Sequence, residues 1–229
     1  MRISLIAITV CAVLSAGCEI PLAGLTCFVT GDRQASMATS GVTEIRVIAR
    51  AGSLEIAGHP NLGEVRASGT ACANSQARLN DVQLLTRRDG DIVVVETVTE
   101  QGRLDVSLEV PAGLPLVVDD ASGSTVVSDV AALELDDGSG SIRIERVAGH
   151  VSVTDRSGSL NIEQVGGSVT IEEDGSGSIR ITDVTGDVVI EEDGSGSITV
   201  TDVDGSFRVL QDGSGRIRSD RIGGQVSIP

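Results

Sequence analysis

Six aspartates, Asp120, Asp137, Asp155, Asp174, Asp193 and Asp212, each stand three residues ahead of a glycine, with a serine two residues after each of them. Carboxylates repeated at one register point to two kinds of chemistry. In a turn, an aspartate accepts the backbone amide two residues further on, here that of Ser122, Ser139, Ser157, Ser176, Ser195 or Ser214. In a stack, oxygen donors from successive turns could hold calcium. At a spacing of about 5 Å, neighbouring carboxylates repel by ~1–3.5 kcal/mol at an effective dielectric of about 20 to 80, so one role or the other must answer that repulsion.

The turn role is the reading adopted. The RTX calcium repeat carries its aspartate after the glycines of a nonapeptide, and this chain does not match it. Asp137, Asp155, Asp174, Asp193 and Asp212 therefore stand as a calcium ladder only in the alternative, and no metal and no cofactor are assigned. Nucleophilic chemistry is no better supported. The two histidines, His59 and His150, sit away from the cysteines, and His150 reads as a turn residue after Gly149. The repeated serines have no activating partner in sequence, so no catalytic residue is assigned.

The elements that position this row are themselves repeated. The glycines Gly123, Gly140, Gly158, Gly177, Gly196 and Gly215 are spaced by 17, 18, 19, 19 and 19 residues, a period that marks solenoids. After each comes an alternating apolar run, such as Ile179 and Ile181. In five repeats a second glycine follows and then another alternating pair, such as Val188 and Ile190. Two short strands per repeat is the reading. Five apolar side chains at ~1.5–3 kcal/mol each cannot order some 19 residues at ~1–2 kcal/mol apiece. Stacked coils can, because each aliphatic row lies on the row below. The expected fold is all-β, a single-stranded parallel β-helix of about 19-residue coils from 117 to 229, right-handed by the general preference of parallel crossovers. A β-sandwich is the competing architecture, and it does not need near-identical turns.

The chain opens with an export signal over 1–17: Arg2, the apolar run Ile3–Leu14, then small residues. That run is short of the ~20 residues of a spanning helix. Leu14-Ser15-Ala16-Gly17-Cys18 resembles the bacterial lipobox, which implies lipidation of Cys18 and a membrane anchor; ordinary cleavage is the alternative. Cys11 falls within the signal, leaving Cys27 and Cys72 as an even pair in an oxidising compartment. A disulfide between them is expected, two independent buried thiols being the other reading. Segment 18–40 is thus an N-terminal stretch carrying Cys18 and Cys27. Segment 41–116 reads as opening strands and N-terminal cap, with Ala51-Gly52-Ser53-Leu54-Glu55-Ile56 as a degenerate repeat start and Asn74–Leu79 as a helical turn or loop.

Leu104-Asp105-Val106-Ser107-Leu108-Glu109-Val110-Pro111, Gly113-Leu114-Pro115-Leu116, the D-x-S-G repeats, Cys27-Phe28 and Thr70-Ala71-Cys72-Ala73 together resemble the bacterial domain of unknown function 4097. That resemblance runs from about Cys27 to Pro229. It implies an exported, adhesin-like β-helix at the cell envelope with no enzymatic activity.

Composition narrows the partners. The net charge is −16 and lysine is absent, which argues against nucleic acid and anionic head groups. The only aromatics, Phe28 and Phe207, give no platform for stacking sugars. A structural or interaction module with an envelope or surface partner is the first reading; an envelope enzyme or binding module acting on carbohydrate is the second. The last coil carries Arg216, Arg218 and Arg221 and runs to Pro229, a cationic rim that predicts a monomer.

Overall fold

Alternating short strands and glycine corners wind this chain into a flattened parallel β-solenoid of about six coils with turns near 19 residues. The computed structural model describes residues 27–229; the signal segment 1–17, with Cys11, and Cys18 lie outside the described residues. The chain begins with β1 (Val29–Ala38), β2 (Glu44–Ala51), β3 (Leu54–His59) and β4 (Glu64–Ala73). A short helix, α1 (Gln76–Asp81), overlaps Asn74–Leu79, the stretch read as a helical turn or loop, and β5 (Gln83–Asp89), β6 (Ile92–Val98) and β7 (Gly102–Pro111) follow. The repeats begin with β8 (Leu116–Ser128), β9 (Leu133–Asp137), β10 (Gly140–Val147), β11 (Val151–Asp155), β12 (Gly158–Val165) and β13 (Val169–Asp174). They run on through β14 (Gly177–Val184), β15 (Val188–Asp193), β16 (Gly196–Val203), β17 (Phe207–Asp212), β18 (Gly215–Ile222) and β19 (Val226–Ser227).

Two sheets face one another. The first runs β1-β4-β7-β3-β8-β10-β12-β14-β16-β18, antiparallel over its first three strands and parallel from β7 onward. The second runs β5-β6-β2-β8-β9-β11-β13-β15-β17-β19, antiparallel only between β5 and β6. The long β8 belongs to both, Leu116–Asp120 in the second sheet and Gly123–Ser128 in the first. β2 and β3 form a coil of their own beneath it, so Gly52 does start a repeat. The excursion from β4 to β7 folds back as the antiparallel cap.

The corners explain the sequence signature. Gly52, Gly123, Gly140, Gly158, Gly177, Gly196 and Gly215 all have positive φ, between 129° and 158°. They stack so closely that a Cβ on Gly177 would lie 1.4 Å from the Gly158 carbonyl oxygen. At the opposite corner a residue in the left-handed region breaks the period of two and turns the following aliphatic inward. That position is Asp129, Arg146, Gln164, Asp183, Asp202 or Arg221, at φ 51° to 61°. Between the sheets lie registered aliphatic rows such as Ile142–Leu160–Ile179–Ile198 and Ile144–Ile162–Ile181–Val200, all at most 2% exposed. The change of spacing from 18 to 19 is taken up by a bulge after Val153 that leaves Asp155 opposite Asp174.

Candidate functional site

The aspartate row runs through the interior, not along a surface turn. On β9 the alternation Leu133, Leu135, Asp137 points all three side chains into the core, and Val151, Val153, Asp155 do the same on β11. On β13 and β15 the pairs Glu172-Glu173 and Glu191-Glu192 both face out, and that break in phase turns Asp174 and Asp193 inward. Asp120, Asp137, Asp155, Asp174 and Asp193 are each no more than 2% exposed, while Asp212 is only half-buried. Each aspartate is registered with the next, from Asp120 opposite Asp137 to Asp193 opposite Asp212.

The turn role assigned from sequence holds at two positions only. Ser122 donates its amide to Asp120 Oδ1 at 3.3 Å and Ser157 donates to Asp155 Oδ1 at 2.9 Å. Both oxygens of Asp137, Asp174 and Asp193, together with Oδ2 of Asp155, are buried without a hydrogen-bond partner. The amides directly after these aspartates are engaged between coils, as where Gly175 donates to Asp155 O at 2.9 Å and Gly194 to Asp174 O at 2.7 Å. From the facing sheet, Thr125 donates its hydroxyl to Asp120 Oδ2 at 2.6 Å. In the coils above, the Thr125 position is taken by Ile142, Leu160, Ile179 and Ile198, which have no donor.

Burial in this apolar interior pushes the Asp137 carboxyl up to about 7, with the charges of Asp120 and Asp155 adding to the effect. Burial likewise pushes Asp174 up to about 8, with Asp193 and Asp155 contributing. Asp120, Asp155 and Asp193 are raised as well, burial being the main cause in each. Calcium takes six to eight oxygens, whereas each gap in the stack offers two carboxylates walled by aliphatic side chains. Among the described residues no group of three or more His, Cys, Asp or Glu is arranged to hold a metal ion.

Outside, the left-handed corner forms a second row. Arg146 donates Nε and Nη2 to the two oxygens of Asp129 at 2.8 and 2.9 Å. Arg221 makes the same fork to Asp202, with Nη2 to Oδ2 at 2.7 Å. These guanidiniums hold Asp129 and Asp202 below the usual carboxylate range. On the cap, β1, β3, β4 and β7 bound two adjoining open hollows of about 470 and 600 Å³. Their charged groups are largely engaged: Arg33 caps α1 through Leu79 O and Val82 O, and Arg66 is held by Glu64 and Glu109. His59 lies 3.9 Å from Glu109 at the rim. No serine or cysteine among the described residues is hydrogen-bonded to a histidine.

Cys27 and Cys72 are joined as a disulfide, with their Cα atoms 5.4 Å apart, where β1 pairs with β4. The bond ties the chain just ahead of β1 to β4.

No protein-family model and no curated protein matches the chain. Solved structures do. One is a provisionally named cell adhesion protein from Clostridium sporogenes, 12% identical over 83% of this chain and 100% of that chain, with a TM-score of 0.42. A provisionally named adhesin from Bacteroides fragilis is 10% identical over 86% of this chain and 96% of its own, with a TM-score of 0.33. A provisionally named lipid-binding protein from Parabacteroides distasonis is 13% identical over 86% and 97%, with a TM-score of 0.36. Likeness at this level carries no conclusion about activity.

Proposed function

We propose that this chain is a non-catalytic, adhesin-like interaction module of the bacterial cell envelope, exported and tethered through a lipid on Cys18. The observation that supports the reading is the outer face of the first sheet. There Arg143, Asn161, Arg180 and Thr199 stack in register, with Glu145, Glu163, Thr182 and Thr201 beside them. A rigid solenoid carrying aligned rows of charged and polar side chains is suited to repeated contact with an extended surface partner. Its net charge of −16 disfavours nucleic acid and anionic lipid as that partner.

Immobilised mature chain exposed to envelope fractions tests this. Retention of an envelope component, lost when Arg143 and Arg180 are both changed to Ser, is the expected result. Release of soluble saccharide from cell-wall glycan by the purified chain would contradict it. The tether is read separately: wild type should incorporate labelled palmitate, and Cys18→Ala should not.

A further inference from the structure

We propose that Asp137, Asp155, Asp174 and Asp193 form a proton-sharing stack inside the rod, in which carboxylic acids alternate with carboxylates and donate hydrogen bonds from coil to coil. The four side chains are no more than 2% exposed and in register with one another. Apart from Oδ1 of Asp155, none of their oxygens has a partner. The strands packed across them supply aliphatic carbons where the coil below supplies the Thr125 hydroxyl. Unpaired buried carboxylates in such a setting are far more costly than in water. A proton held between two of them removes one charge and supplies a donor: the protonated oxygen donates and the ionised one accepts, a charge-assisted bond.

Among the described residues no cationic side chain reaches the stack. On the strands that carry the stack, Asp119, Asp136, Glu134, Glu172, Glu173, Glu191 and Glu192 face outward or away from it, and Asp119 and Asp136 only add negative charge. Arg156 at the corner is exposed and pairs with Asp136 at 3.3 Å. On the facing strands Arg143, Glu145, Glu163, Arg180, Asp183 and Asp202 all lie on the outer side. The ionisation of the stack is therefore governed by burial, by its own members and by the carboxyls that flank it, Asp120 beside Asp137 and Asp212 beside Asp193, and two adjacent carboxyls so placed cannot both ionise readily.

The raised carboxyls of Asp137 and Asp174 agree with this and fix the sign of its consequence. The folded chain keeps protons that the unfolded chain releases above about pH 4, so stability falls as pH rises from there through about pH 8. The rod is an acid-strengthened structure.

The test uses the full mature chain. Infrared spectra near neutral pH should show the carbonyl stretch of protonated carboxylic acid, and Asp137→Asn/Asp174→Asn/Asp193→Asn should lack it. In wild type the unfolding equilibrium constant should rise by up to about tenfold per pH unit for each retained proton between about pH 5 and 8. In the triple variant that dependence should largely disappear. Absence of the acid band from folded wild type at neutral pH would overturn the proposal, whether or not the triple variant folds. Stabilisation of wild type by calcium, lost in the variant, would overturn it in favour of a bound cation.

Discussion

Thr125 gives its hydroxyl hydrogen to Asp120 at 2.6 Å, and the residue stacked directly above Thr125 is Ile142. One coil therefore holds its inward carboxylate with a fixed donor and the next does not. Thr125→Val keeps the shape and removes that donor. It should destabilise the protein by about 1–3 kcal/mol at neutral pH, and by less in mild acid, where Asp120 can carry its own proton. Chemical denaturation at two pH values checks this; an equal loss at both would mean that the hydroxyl does not serve the ionised carboxylate.

The two corners should respond oppositely to substitution. Gly177→Ala places a methyl against the backbone of the coil below, 1.4 Å from Gly158 O, and should cost well over about 2 kcal/mol. Gln164 sits at φ 61°, where most side chains lose about 1–2 kcal/mol. Gln164→Asn should recover about 1 kcal/mol of that, because Asn tolerates the left-handed region. Thermal melts of the two variants compare the corners directly.

The Cys27–Cys72 bond should matter most to the cap. Reduction, or Cys72→Ser, should lower stability by about 2–4 kcal/mol, with loss of protection first in β1 and β4. Alkylation of exported native protein should find neither thiol free; two free thiols would remove the bond from the account.

Arg216 and Arg218 stand above Ser197 and Thr199, and Ser219 replaces the aliphatic of Val200. We propose that these changes on β18 disfavour stacking by a second copy and keep the protein monomeric. Changing Arg216 to Ser, Arg218 to Thr and Ser219 to Val should produce concentration-dependent association by light scattering, whereas wild type that already forms filaments would make this end an interface.

Much of the fold is written in the repeats. The glycine spacing defines the coils, the paired alternations define two strands in each, and Gly52 with Leu54 and Ile56 marks the isolated coil beneath β8. The position of Arg221 beside Asp202 also follows from the period alone. What the turn motif concealed was the direction of the aspartates. Asp-x-Ser-Gly reads as a surface turn, yet Leu133-Leu135-Asp137 and Val151-Val153-Asp155 continue the core alternation through the carboxylate. The bulge that keeps Asp174 and Asp193 inward depends on how the inserted glutamates are accommodated against the neighbouring strand. The left-handed corner was hidden for another reason: Arg146, Gln164 and Arg221 are held there by stacking, against their own preference. The antiparallel cap has no period to read.

A row of carboxyls inside the rod keeps protons at neutral pH. Side-chain carboxyl carbon NMR of labelled aspartate, titrated on the folded protein, measures this directly. Asp137 is expected to titrate at about 7 and Asp174 at about 8, with Asp129 and Asp202 below the usual carboxylate range. Ionisation of all these groups together near about 4, the ordinary value for aspartate, would contradict it.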